Sequence, residues 1–153
     1  MAPQQDAGAA APNFALCDDS GQIVTLSDLK MPVVLIFYPA DWSPVCSDEL
    51  SMFSAAHQLF GAKGAQLYGV SVDGMWCHQA FRSQRNLTFP LLADFEPKGA
   101  VAQSFGVYRD GEGISERALF VIDSSRRISW REVSPLDENP GADGALRAVE
   151  ALS

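Results

Sequence analysis

Residues 33–46 read Val33-Val34-Leu35-Ile36-Phe37-Tyr38-Pro39-Ala40-Asp41-Trp42-Ser43-Pro44-Val45-Cys46. The first six form an unbroken β-branched and aromatic run between Pro32 and Pro39, the pattern of a strand buried on both faces within a parallel sheet. The last four mark a helix start. Ser43 has N-cap chemistry, Pro44 suits the first helical position, and Asp48 and Glu49 complement the positive end of the helix dipole. Beyond them Cys46, Leu50, Phe53, His57 and Phe60 recur at spacings of four and three, one apolar stripe of a helix ending at Gly61. A buried strand thus runs through a short loop into a helix whose first turn carries Cys46.

The flanking sequence fits around this unit. Phe14–Cys17 and Gln22–Thr25 alternate in polarity about the turn formers Asp18-Asp19-Ser20-Gly21, predicting an N-terminal β-hairpin. Residues 66–72 read as a second buried strand. A helix near 75–84, an extended segment at 89–92 and a helix near 97–105 follow. Ala118–Ile122 and Ile128–Arg131 flank a turn at 123–126 as a second hairpin, and residues 145–152 close the chain as a helix. A parallel βαβ half joined to an antiparallel ββα half predicts an α/β, thioredoxin-like fold: a central mixed sheet with flanking helices. The Ala/Pro/Gln-rich residues 1–13 offer almost nothing to bury and predict a mobile tail, leaving 14–153 as one domain.

Composition narrows the function. The chain has 153 residues, 47% hydrophobic and 20% charged, enough for one core without a disulfide framework or structural metal. Eleven Lys and Arg stand against nineteen Asp and Glu, a net charge of -8 with no basic cluster, which leaves nucleic acid and anionic membrane surfaces without an electrostatic handle. No apolar run approaches a membrane span, and the N-terminus lacks a signal-peptide pattern. The three cysteines, Cys17, Cys46 and Cys77, are odd in number and form no CxxC pair, so they read as intracellular thiols and predict a cytoplasmic protein. No HxxxH, CxxC or carboxylate cluster points to a metal, and no cofactor motif is present.

Cys46 has the setting of a reactive thiol. A helix N-terminus stabilises a thiolate through unpaired N–H groups and the positive end of the dipole. Ser43, three residues earlier, is placed to aim its hydroxyl at the sulfur or at a substrate oxygen, and Pro39 ends the strand and shields the loop from water. Taken alone, a cysteine on an apolar stripe after Ser-Pro is more often a small buried hydrophobe.

Pro39, Ser43 and Cys46 together fit the P-x-x-x-[ST]-x-x-C signature of the peroxiredoxins, thiol peroxidases of thioredoxin fold. The segments 14–29, Gly69-Val70-Ser71-Val72-Asp73, 89–94 and Arg117-Ala118-Leu119-Phe120-Val121-Ile122-Asp123 also resemble that family. The resemblance implies that Cys46 is the peroxidatic cysteine, attacking a hydroperoxide and becoming a sulfenic acid. It implies that Pro39, Ser43 and Arg117 complete the site, with fixed donors for the oxygens of a breaking O–O bond. Glu49 matches a position that orients the arginine. Ser43 stands where the family more often has Thr, keeping the hydroxyl but losing a methyl that restricts its rotamer. The chemistry requires that small oxidants reach the sulfur in at least one conformation.

Cys77, 31 positions after Cys46, lies near the start of the helix after the second parallel strand. Consecutive βα loops open on the same edge of a parallel sheet, which makes Cys77 a candidate resolving thiol. The alternative is that it packs against Phe81 and an external thiol reduces Cys46. Ser51 excludes a second cysteine five residues after Cys46, and the chain ends before the C-terminal extension of typical two-cysteine members, so the pattern most resembles AhpE-like and atypical two-cysteine types. By the same resemblance the reductant is thioredoxin, glutaredoxin or a low-molecular-weight thiol, and a homodimer forms through loops near the active site, with Trp42 and Phe105 as candidate contacts. Cys17 reads as structural. His57, about 16 Å along the helix from Cys46, reads as a packed or surface imidazole rather than a base. The non-enzymatic alternative is a redox relay that senses peroxide through Cys46 without turnover.

Overall fold

A computed structural model describes residues 7–152. Its main sheet has seven strands: β1 (Ala15–Asp18), β2 (Ile23–Thr25), β3 (Val33–Phe37), β4 (Gln66–Ser71), β5 (Leu91–Ala93), β8 (Arg117–Ile122) and β9 (Ile128–Ser134), with β6 (Tyr108–Arg109) and β7 (Ile114–Ser115) forming a separate ribbon. The spatial order is β2-β1-β5-β4-β3-β8-β9. β3 pairs with β4 and β4 with β5 in parallel, whereas β3–β8, β8–β9, β1–β5 and β1–β2 are antiparallel. This is the mixed sheet predicted, including the N-terminal hairpin.

β3 lies at the heart of the sheet because both faces of its apolar run are covered. Val34, Ile36 and Tyr38 point into one core, with Leu50, Phe53, Phe60, Phe81 and Val149 from the helices on that side. Val33, Leu35 and Phe37 point into the other, where Phe37, Phe105 and Phe120 meet with ring centroids 5.1–5.7 Å apart. Each such side chain withdrawn from water contributes roughly 1.5–3 kcal/mol.

The helices are α1 (Pro44–Ala55), α2 (His57–Gly61), α3 (Met75–Arg85), α4 (Ala100–Ser104) and α5 (Asp143–Glu150). The single helix expected from Cys46 to Phe60 is therefore two. The chain bends at Ala56, whose φ of -92° and ψ of 1° leave the helical basin. The bend lets Phe60 stack on Phe53 at 5.8 Å while His57 Nδ1 meets Thr88 Oγ1 at 2.6 Å. Residues 1–6 of the predicted mobile tail lie outside the described residues. Its remainder is tied down: Gly8 N donates to Ile128 O (2.6 Å), Ile128 N to Ala9 O (2.9 Å) and Ala11 N to Arg126 O (2.9 Å). Small side chains there let the backbone pair with the turn before β9, which outweighs the lack of apolar surface. Among the described residues no helix is long and apolar enough to cross a membrane.

Candidate active site

Two adjacent crossings build the site. β3 leads through 38–43 into α1, and β4 leads through 72–74 into α3; because β3 and β4 are parallel, with Phe37 opposite Val70, both helices start at the same edge of the sheet. Pro39 is buried just after β3. Ser43 is the N-cap of α1 and Pro44 its first residue, as predicted, although the Ser43 hydroxyl makes no capping bond. The Ser43 carbonyl instead accepts from Ser47 N (2.8 Å) and Ser47 Oγ (2.9 Å).

Cys46 Sγ lies in the first turn of α1, 3.3 Å from Arg117 Nη2. Arg117 opens β8, directly beside β3, so a residue 71 positions away reaches the sulfur through sheet pairing. It is one of the largest fully buried side chains of the protein, and each of its nitrogens is used. Nη1 donates to Glu49 Oε1 at 2.8 Å, while Nε and Nη2 donate to the Leu136 carbonyl at 3.0 and 2.7 Å. The Leu136 carbonyl is not foreseeable from sequence, since a main-chain acceptor in a coil segment leaves no mark on residue type. Glu49 Oε2 is buried without a partner, and burial, only partly offset by Arg117, pushes this carboxyl up to about 7. Cys46 itself has no exposed surface. The opening that peroxide chemistry requires in some conformation is closed in this one.

Cys77 sits in the first turn of α3, half-buried. Its sulfur and one oxygen each of Asp41 and Asp73 lie within 4.8 Å of one another, a carboxylate–thiol cluster invisible in sequence because Asp41 lies on a different crossing from the other two. Burial and the Asp41 and Asp73 charges push the Cys77 thiol up to about 11. Phe81, one helical turn beyond Cys77, receives Trp42 edge-on at 5.2 Å.

A buried network also missed by sequence underlies the loop. Asp41 Oδ1 accepts from Tyr38 OH (2.6 Å) and Oδ2 pairs with His78 Nδ1 (2.7 Å), while His78 Nε2 donates to the Leu92 carbonyl (2.9 Å). The Asp41 N–H donates to Asp73 Oδ2 (2.8 Å), which also accepts from Ser71 Oγ (2.5 Å). His57 is remote from this chemistry, on Thr88 and edge-on to Phe89. Cys17 lies in β1, half-buried, its thiol on the Asp18 carbonyl at 3.2 Å. Of the two candidate dimer contacts, Phe105 is wholly buried in the aromatic core, whereas Trp42 is 45% exposed.

Comparison with known proteins agrees with the fold and the cysteine chemistry. The AhpC/TSA family pattern matches residues 7–131. Alkyl hydroperoxide reductase E of Mycobacterium tuberculosis is 36% identical over 128 residues, spanning 82% of this chain and 84% of that protein. Peroxiredoxin-2 of Mus musculus is 36% identical over 156 residues, spanning 95% of this chain and 78% of that protein. Among solved structures, peroxidoxin BcpB of Mycobacterium tuberculosis superposes with a TM-score of 0.88 at 32% identity, covering 98% of this chain and 99% of that one. AhpC of Enterococcus faecalis gives 0.87 at 27% identity, covering 97% and 92%. A thioredoxin-like domain similar to these proteins over most of its length is a thiol-dependent peroxidase. The chain belongs to the AhpC/TSA family, the peroxiredoxins. Its substrate class is peroxide and its electrons come from a thiol; the relay reading without turnover is not favoured.

Proposed function

We propose that Cys46 is the peroxidatic cysteine of an enzyme that reduces hydrogen peroxide and organic hydroperoxides. The observation that carries this is the 3.3 Å contact between Arg117 Nη2 and Cys46 Sγ at the start of α1, both groups buried. Arg117 donates to the sulfur at 3.3 Å and so steadies the charge that it carries as it attacks. The thiolate attacks the terminal oxygen of ROOH; an S–O bond forms as the O–O bond breaks, and the departing RO⁻ takes a proton to leave as an alcohol or water. Ser43 donates to the peroxide oxygens, Pro39 keeps water from the loop, and Glu49 holds Arg117 in place through its 2.8 Å bond. Since the sulfur is covered, peroxide reaches it when loop 38–43 or the segment tied to Arg117 through Leu136 moves.

Cys77 resolves the product: its sulfur attacks the Cys46 sulfenic acid, giving a disulfide and one water, and one external dithiol or two monothiols restore both thiols. Support comes from the shared sheet edge of the two helix starts. Thioredoxin, glutaredoxin or a small thiol is the reductant, the compartment is the cytoplasm, and the exposed Trp42 is the contact of a homodimer. The test is stopped-flow mixing with peroxide in the presence of thioredoxin, its reductase and NADPH. Sustained turnover that vanishes in Cys46→Ser is expected; turnover surviving that substitution refutes the assignment. Peptide mapping after one equivalent of peroxide should find Cys46 linked to Cys77, and a persistent sulfenic acid in its place refutes the resolving role.

A further inference from the structure

We infer that Asp41 is a positioning residue for the second half of the cycle: with Asp73 it keeps Cys77 an unreactive thiol while the loop before Cys46 is closed, and it releases Cys77 when that loop swings out. The inference rests on the resolving role of Cys77 for its purpose, though not for its geometry.

Asp41 stands five residues before Cys46, on the loop that leads into α1, and its carboxylate is wholly buried. Three bonds pin it: Tyr38 OH at 2.6 Å, His78 Nδ1 at 2.7 Å, and its own N–H to Asp73 Oδ2 at 2.8 Å. They hold the loop against a backbone preference, since the next residue, Trp42, has φ of 72°, in the left-handed region that side-chain-bearing residues rarely adopt. The closed loop is therefore a fastened state.

The fastening places charge beside Cys77. The groups facing its sulfur are the Asp41 and Asp73 carboxylates, within 4.8 Å, and the Trp42 indole N–H. Burial and the carboxylates favour the protonated thiol; the indole opposes them and does not offset them. A protonated thiol does not attack a sulfenic acid. For the two sulfurs to meet, the first turn of α1 and the loop before it must leave their place. Asp41 travels with that loop, so the movement that presents Cys46 also withdraws a carboxylate from Cys77.

The test uses the full chain carrying Cys17→Ser and Cys46→Ser, in which Cys77 is the sole thiol, alkylated with iodoacetamide across a pH series and followed by intact mass. Asp73→Asn should raise the Cys77 rate at pH 8 and move the profile to lower pH, because a lower pKa gives a mostly protonated thiol more thiolate. Asp41→Asn should do the same, and Asp41→Glu, which keeps the charge, should return the profile toward that of the parent. Tyr38→Phe, which loosens the loop without changing charge, should also speed alkylation. Circular dichroism identifies the folded variants. An unmoved profile in folded Asp73→Asn overturns the charge effect, and an unmoved rate in folded Tyr38→Phe overturns its coupling to the loop. Disulfide yield in the Cys17→Ser protein is scored separately: no Cys46–Cys77 link refutes resolution while leaving the alkylation result standing.

Discussion

Glu49 and Arg117 share a space from which water is excluded, and the carboxyl bears the cost, with Oε2 unpartnered. Its folded value, about 7, lies above the ordinary 4.5, so between those limits the folded protein binds more protons than the unfolded chain. Stability then falls as pH rises through this window, on the order of 3 kcal/mol in all from this one group. Urea denaturation at pH 5 and pH 8 should show that loss in the parent, and Glu49→Gln should flatten the difference. Arg117→Ala removes the donor that faces Cys46 and should lower the second-order rate with hydrogen peroxide roughly 100-fold or more in stopped-flow experiments. At this scale residue type is informative: Pro39, Ser43 and Cys46 stand close in sequence, and Arg117 emerges through family resemblance. The Leu136 carbonyl and the Asp41–His78 pair are not legible, the first because any residue type supplies a carbonyl, the second because its partners are 37 positions apart.

α4 shows how a short element is fixed from outside itself. Five residues make a marginal helix, and the buried Asp94 side chain caps it, accepting from Val101 N at 3.0 Å and Ala102 N at 2.9 Å. Gly99, immediately before it, has φ of 71°, and a β-carbon there would run into the Tyr108 ring. Gly99→Ala should therefore cost roughly 1–3 kcal/mol, read as a lower denaturation midpoint with unchanged slope. The long elements are legible because burial marks their residues, as an unbroken apolar run in β3 and as an apolar stripe in α1. The β6–β7 ribbon, two residues a side, escapes because a pattern that short has no period to read, and the bend at Ala56 is hidden because the apolar stripe continues across it.

Across the whole molecule the two cores are joined through shared strands, since alternate residues of β3 and β8 feed opposite faces. Phe37→Ala should cost roughly 3–5 kcal/mol, and aromatic fluorescence and far-ultraviolet dichroism should still report one coincident transition. The mixed sheet is readable because a continuous apolar run and two alternating hairpins leave few topologies open. The order of its edge strands is not, since β1 pairs with β5 through contacts about 75 positions apart. The enclosure of Cys46 carries one more implication. With its sulfur fully covered, the closed conformation guards Cys46 from irreversible capping by stray electrophiles, and exposes it only for as long as the cover is open.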